Sequence, residues 1–267
     1  MINKESNMAI EYVKEGGVSK YKVLDFHAHM GNLVNAYMPF GSPEKMLYLM
    51  DRSNVRCALF SSHHDLTVGN RFILDEIEIC KKHPGRFKLY MTVFSRHCDF
   101  KEDIKIFEKY REHFVGFKLH PSYSGIMPDH SLNRPYLEYA DAHGLLVLGH
   151  TWSGLETPYE NVLKKYKNLK LIGGHCFYDN WRFTANLALN YENFYPELTA
   201  VLFKRGALEE MVSICGANKI LFGCDMPWFS YTYYIGALLS AEITDQQRED
   251  ILWNNGYVLL KDQVRDL

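Results

Sequence analysis

The sequence lacks the features of membrane, secreted and nucleic-acid-binding proteins. No apolar run approaches the roughly 18 residues needed to cross a bilayer, and the N-terminal segment 1–6 lacks the apolar core of a signal peptide. The net charge is −2 and the pI is near 6.6, so there is no basic excess. We therefore expect a cytoplasmic protein with a small-molecule partner and neither a membrane nor a nucleic-acid partner. A homodimer is the commonest oligomer for such a chain.

Two sequence motifs are also missing. The six cysteines contain no C-x-x-C pair, so we expect reduced and mostly buried thiols rather than a disulfide framework. No G-x-G-x-x-G turn follows the first apolar segment, which argues against a dinucleotide-binding sheet. What is abundant is hydrophobic residues, at 47% of the 267 positions, and histidine, at 12. This composition can support a large core.

Eight short apolar segments alternate with amphipathic helical patterns. Continuous apolar runs are typical of parallel strands that are buried on both faces. Eight such units in a chain of 267 residues predict an α/β fold, a (β/α)₈ barrel in a single domain spanning 21–267 after an N-terminal arm at 1–20. An open doubly wound sheet is the alternative. The predicted strands are 21–26, 56–60, 87–93, 115–119, 145–149, 169–174, 194–199 and 219–223, and the proline in the seventh weakens that assignment.

Two histidines follow the first predicted strand at i and i+2. Because side chains in a strand alternate between its faces, His27 and His29 should point the same way, and Asp25 shares their parity. Two neighbouring imidazoles can chelate one ion, and neutral imidazole suits zinc, iron, copper or nickel. Alone, this pair is weak evidence for a metal site.

Other polar side chains stand where later strands end. In a barrel the C-terminal ends of all strands meet at one mouth, where the chemistry of such folds takes place. A group of three histidines and a carboxylate at that mouth would suit zinc, manganese or iron. The residues at these positions are Lys118, His120, His150, His175 and Asp225.

Several of these segments together resemble the amidohydrolase superfamily, in particular its amidohydrolase-related branch. That branch includes aminocarboxymuconate-semialdehyde decarboxylase and many uncharacterised metal-dependent hydrolases. The resemblance runs from about 22 to 260 and implies a distorted (β/α)₈ barrel. The motifs that carry it are Asp25-Phe26-His27-Ala28-His29, Gly116-Phe117-Lys118-Leu119-His120-Pro121, His150-Thr151, Ile172-Gly173-Gly174-His175 and Ile220-Leu221-Phe222-Gly223-Cys224-Asp225-Met226-Pro227.

The resemblance also implies roles for individual residues. The metal ligands would be His27, His29, His150 and Asp225, holding one divalent ion rather than two. Zinc is expected first, with manganese or iron as alternatives. His175 would polarise substrate or bound water. In binuclear relatives a lysine on the fourth strand is carbamylated to bridge two metals, so that option stays open for Lys118.

Three functions are compatible with these residues. The first is hydrolysis of a C–N or C–O bond in an amide, lactone or ester, with Asp225 as general base and His175 as oxyanion stabiliser. The second is non-oxidative decarboxylation of an aromatic or unsaturated acid. In either reaction Trp152 would shape the pocket, and His120 would either bind a substrate carboxylate or make a structural hydrogen bond. The third is a non-catalytic, metal-stabilised barrel. His63-His64-Asp65, at the end of the second predicted strand, could line the mouth, but we expect these residues to form a surface loop.

Overall fold

Seven parallel strands pair side by side in the order in which they occur in the chain. We analysed a computed structural model, which describes residues 6–17, 19–33 and 36–261. The first part of the predicted arm, 1–5, and the last part of the predicted domain, 262–267, therefore lie outside the described residues. The strands are β1 (Val23–Met30), β2 (Val55–Ser62), β3 (Phe87–Thr92), β4 (Phe114–Leu119), β5 (Leu146–His150), β6 (Lys170–Gly174) and β7 (Phe194–Glu197).

The eighth predicted strand, 219–223, does not form a regular strand but closes the barrel. We call residues 219–226 the closing segment. On one side the Leu221 N–H donates to the Pro196 carbonyl of β7 at 2.8 Å, and on the other the Phe26 N–H of β1 donates to the Phe222 carbonyl at 3.0 Å. Isolated bridges stand here in place of a continuous ladder, and the backbone turns at Asp225, where φ is +55°. The seven strands and this segment make a distorted (β/α)₈ barrel, as predicted.

Helices connect successive strands and cover the outside of the barrel. Side chains cap two of these helices: the Ser42 hydroxyl accepts from the Lys45 N–H, and Thr244 with Gln247 forms a capping box. No helix in the described ranges is long and apolar enough to cross a membrane. The α-helices are α1 (Asn7–Lys14), α2 (Pro43–Arg52), α3 (His63–Val68), α4 (Ile73–Lys82), α5 (Phe100–Lys109), α6 (Pro121–Ser124), α7 (Arg134–His143), α8 (Glu156–Lys165), α9 (Trp181–Asn190), α10 (Ala207–Cys215), α11 (Tyr231–Ser240), α12 (Asp245–Glu249) and α13 (Asn255–Leu260), with a π-helical turn at Asp250–Asn254.

The N-terminal arm contains a helix that the sequence did not reveal. Ser6 caps α1 and also donates to the Asp245 carboxylate at 2.6 Å. The Tyr12 hydroxyl donates to the Thr232 carbonyl of α11 at 2.7 Å. These contacts attach the arm to the helices that follow the closing segment, so it forms part of the barrel's outer layer.

Buried side chains form two layers, as expected for a closed barrel. The smaller layer draws residues from β1 to β6, from the closing segment and from α13, so it must fill the barrel interior. Tyr90 is its largest fully buried side chain, and its hydroxyl donates to the Phe26 carbonyl at 3.2 Å. The larger layer lies between the strands and the surrounding helices. This packing holds the strand ends, and hence the mouth of the barrel, in fixed positions.

Strand packing leaves no room for a side chain at Gly116, which pairs with Leu146 between β4 and β5. A Cβ at this position would lie 1.8 Å from the Leu146 carbonyl oxygen. We predict that Gly116→Ala lowers the free energy of unfolding by about 3 kcal/mol, or prevents folding, because the two strands must separate. Urea unfolding measures this, with Leu189→Ala on the exposed face of α9 as a control that changes stability by less than about 0.5 kcal/mol. If the Gly116→Ala variant were as stable as the wild type, the close spacing of β4 and β5 at this position would be wrong.

Candidate metal centre

Three side chains from opposite ends of the sequence meet at the barrel mouth. His27 and His29 lie within β1 itself rather than after it, and Asp225 comes from the closing segment. One potential ligand atom from each lies within 4.8 Å of the other two, and in the described ranges no other group of His, Cys, Asp or Glu is this compact. Burial opposes ionisation of Asp225, but the surrounding histidine rings hold its pKa well below the usual range. It is therefore a carboxylate.

A hydrogen bond orients the His29 ring. Its Nδ1 lies 2.9 Å from the Ser61 carbonyl oxygen, which can only accept, so Nδ1 is the donor. This leaves Nε2 as the ring nitrogen that faces the mouth, and it lies 3.0 Å from Asp225 Oδ1. Asp225 Oδ1 is buried and has no hydrogen-bond donor among the described residues. A cation bound between these two atoms would contact both of them.

The same reasoning applies to His27. Its Nε2 lies 2.9 Å from the Lys118 amine, which donates, so Nε2 is an acceptor and Nδ1 carries the proton. That Nδ1 lies 2.8 Å from Glu197 Oε2, and Nε2 lies 3.6 Å from Asp225 Oδ1. Burial, followed by the charge of Lys118, lowers the pKa of His27 well below its usual value. The ring is neutral, as a metal ligand must be.

Glu197 was missed by the sequence analysis. It ends β7 and is fully buried, and it accepts two hydrogen bonds from the amide and hydroxyl of Thr199, each 2.6 Å long. Burial raises its pKa to about 7. A Cβ at Gly223 would lie 2.1 Å from Glu197 Oε1, so the closing segment can pass this carboxylate only as glycine. A carboxylate that orients a histidine toward a metal is a recurrent feature of metal centres.

Lys118 lies beneath the three ligands and is completely buried. Burial lowers its pKa from the usual 10.5 to about 8, while Asp225 and Glu197 act in the opposite direction. Carbamylation requires the neutral amine, which a lowered pKa makes more available at neutral pH. The expectation that Lys118 bridges two metals stays a prediction.

The other predicted site histidines form a chain of rings beside the metal group. His175 lies 4.8 Å from His27 between ring centroids, and His150 lies 4.5 Å from His175. His120 stacks on His150 at 3.9 Å. The mouth therefore gathers every predicted histidine, although His150 falls outside the compact group of three. The Nδ1 atoms of His120 and His175 are buried without a hydrogen-bond partner among the described residues, so both are free for a ligand.

A cavity of about 470 Å³ opens above these rings. Its walls are largely aromatic and include Trp152, which was expected to shape the pocket. His63 also lines it, so the expected surface loop at His63-His64-Asp65 is wrong: these residues begin α3, and His63 and Asp65 are buried. The His63 ring donates from Nδ1 to the Gly31 carbonyl at 2.9 Å and accepts from the Trp228 indole at 3.0 Å. With both nitrogens engaged, His63 supports the wall and is not a ligand.

Asp25 does not join the metal group, despite sharing the parity of the histidines. The register of β1 shifts between Asp25 and Ala28, which turns the aspartate away from the mouth. Its carboxylate accepts from the amides of His27 and Cys224 and from the Tyr231 hydroxyl, at 2.9, 3.2 and 2.8 Å. Asp25 thus ties β1, the closing segment and α11 together behind the ligands.

Comparison with known proteins identifies the family. The sequence profile of the amidohydrolase family matches residues 25–261. The chain belongs to the amidohydrolase family. This confirms the resemblance seen in the sequence, and with it the expectation of an amidohydrolase-like enzyme. No curated protein sequence matches the chain.

Several solved structures share the fold of this chain. A 2,6-dihydroxybenzoate decarboxylase from Rhizobium superposes with a TM-score of 0.71 and 15% identity, over 90% of this chain and 98% of that one. A 5-carboxyvanillate decarboxylase from Sphingomonas paucimobilis gives 0.67 and 13%, over 91% and 99%. A putative 2-pyrone-4,6-dicarboxylic acid hydrolase from Pseudomonas putida gives 0.72 and 15%, over 90% and 98%. At these identities the likeness shows the shared barrel.

We predict that Glu197→Gln weakens metal binding about 10- to 100-fold, because a neutral amide no longer fixes the His27 ring or strengthens its lone pair. Competitive titration of zinc against a chromogenic chelator measures this. The control is Glu192→Gln, an exposed residue just before β7, which should bind zinc like the wild type. Unchanged affinity in Glu197→Gln would remove Glu197 from the metal centre.

Proposed function

We propose that the protein is a metal-dependent hydrolase that cleaves a C–N or C–O bond of a small amide, lactone or ester. The observation that carries the proposal is the convergence of one potential ligand atom each from His27, His29 and Asp225 at the floor of an open cavity. Such a donor set fits a divalent ion, and its position below a cavity gives a substrate access to it.

The ion would be held by His27, His29 and Asp225, with His150 as the fourth ligand implied by the family pattern. Two or three imidazoles and one carboxylate suit zinc first, with manganese or iron as alternatives, and one ion accounts for this set. When bound, a divalent ion supplies a Lewis acid that lowers the pKa of water toward about 7.

The protein's own groups then move the proton and hold the developing charge. Asp225 is ionised and buried beside His29, so its carboxylate can accept the proton from the attacking water. His175 lines the same cavity, and its unpartnered ring nitrogen is available to donate to the oxyanion that forms at the substrate carbonyl. His120 and Trp152, on the adjacent walls, would position the substrate. Lys118 lies behind His27 and would serve a second ion only after carbamylation.

Decarboxylation of an aromatic or unsaturated acid is the second candidate, because the cavity walls favour a flat substrate. Trp152, Trp228, Phe229 and Tyr123 all line it. The structural neighbours include a dihydroxybenzoate decarboxylase with bound manganese and 2-nitroresorcinol. Release of CO₂ from a panel of aromatic acids would favour this reaction, whereas a new amine or hydroxyl group would favour hydrolysis. A non-catalytic barrel fits less well, since its metal group would have no need of a cavity.

We predict that chelation abolishes hydrolysis of a panel of small lactones, esters and amides, and that added zinc or manganese restores it. Asp225→Asn should lower kcat by at least about 100-fold, because it removes both a ligand and the proton acceptor. Initial rates in metal-stripped and reloaded protein measure both effects. Asp51→Asn, at an exposed residue paired with Arg86, is the control and should keep wild-type rates. Full activity in the metal-stripped protein would refute the mechanism.

A further inference from the structure

The backbone adopts an unusual conformation directly after β6, where it carries His175 to the mouth of the barrel. Four consecutive residues, 175–178, have positive φ angles of 75°, 49°, 53° and 56°, and we call them the left-handed turn. No other two adjacent non-glycine residues in the described ranges share this conformation. It is unfavourable for residues that carry a Cβ, which normally adopt it one at a time. Such backbone persists only where its surroundings fix it, and it is concentrated at functional sites.

The left-handed turn sends its side chains into two different environments. His175 lines the cavity, and its ring centroid lies 4.8 Å from that of His27. Phe177 is completely buried in the layer between the strands and the helices. There its ring packs against Tyr159 and Phe183, at 6.0 and 5.5 Å between centroids. A change in the turn would therefore move the His175 ring relative to the metal group.

The hydroxyl of Thr151 joins the two ends of the left-handed turn. It donates to the Gly174 carbonyl at 2.5 Å and accepts from the Phe177 N–H at 3.0 Å. The Thr151 N–H donates to the same Gly174 carbonyl at 2.9 Å, which attaches the turn to the end of β5. The Thr151 side chain is fully buried, and its hydroxyl uses both its proton and a lone pair in these contacts.

Other contacts hold the middle of the turn. The Thr184 hydroxyl of α9 donates to the Cys176 carbonyl at 2.8 Å, and the Cys176 thiol donates to the Glu197 carbonyl at 3.0 Å. The His175 N–H donates to Glu197 Oε2 at 3.4 Å. The carboxylate that orients the His27 ring thus also contacts the backbone of His175, so the two histidines are fixed relative to each other.

From these contacts we infer that Thr151 is a positioning residue for His175. Its hydroxyl keeps the left-handed turn in a conformation that is otherwise unfavourable, and the turn in turn holds the His175 ring beside the metal group. The inference rests on the proposed function, because it assumes that His175 stabilises the oxyanion. If Thr151 served only to pack the turn, its loss would change stability with no dependence on the His175 ring.

Thr151→Val tests the inference, because valine has nearly the shape of threonine but can make neither hydrogen bond. With a substrate from the panel of lactones, esters and amides, kcat should fall at least about tenfold and KM should change less than about threefold, since an oxyanion contact acts in the transition state. Thr151→Ser keeps the hydroxyl and should restore kcat to within about threefold of the wild type. The matched control is Thr157→Val, at an exposed position of α8, which should keep wild-type kinetics.

A double-mutant cycle with His175→Ala separates positioning from packing. In the His175→Ala background, Thr151→Val should change the residual kcat less than about twofold, because its effect acts through the missing ring. An equal fall in kcat in both backgrounds would overturn the inference, and so would wild-type kcat in Thr151→Val.

Crystal structures of the wild type and the variants, grown with zinc, give a readout that does not depend on activity. In Thr151→Val the His175 ring should move by about 1 Å or more from its place 4.8 Å from His27, a displacement large enough to impair catalysis. In Thr151→Ser it should stay in place. Thr151→Ala, which also lacks the hydroxyl and needs less space, replaces the valine variant if that variant does not fold. An unmoved ring would contradict the inference.

Failure of the proposed function would show separately. It would appear as absence of zinc uptake or of hydrolysis in the wild type, and the position of the His175 ring in the crystals would still decide whether Thr151 positions it.

Discussion

Closure of the barrel at β1 is the constraint on which the site depends. The Asp225 N–H donates to the His27 carbonyl at 2.6 Å, and the His29 N–H donates to the Met226 carbonyl. These backbone bonds place a carboxylate beside two histidines that lie almost 200 positions earlier. Asp25 reinforces the closure by accepting from Cys224, 199 positions away, and from Tyr231. Because backbone and buried side chains make these contacts, the ligands are positioned by folding itself.

The layer behind the ligands decides how they can react. Glu197 and the Ser61 carbonyl each accept a hydrogen bond from Nδ1 of one histidine, which places the two Nε2 atoms 3.6 and 3.0 Å from Asp225 Oδ1. The barrel holds these buried polar groups together at a cost in stability that a bound cation would offset. Strained or frustrated groups of this kind concentrate at functional sites.

Much of this arrangement could be predicted from the sequence. Apolar segments with His or Asp at their ends indicate both the barrel and its mouth, because parallel strands bring those ends together. Glu197 was not predictable in the same way, since Pro196 weakened the strand that carries it and a lone Glu has no spacing signal. His63 looked like part of a polar loop, and only its contacts with Gly31 and Trp228 reveal a buried wall. The shift in β1 that turns Asp25 away depends on pairing with β2, which local sequence does not encode.

The central claim is that one divalent ion binds between His27, His29 and Asp225. Anomalous diffraction at the zinc edge, from crystals grown with one equivalent of zinc, tests it most directly. We predict a single strong peak at the barrel mouth, within about 2.0–2.2 Å of an Nε2 atom of each histidine and of an Asp225 carboxylate oxygen. A peak at other residues, or none at the mouth in fully ordered crystals, would contradict the account.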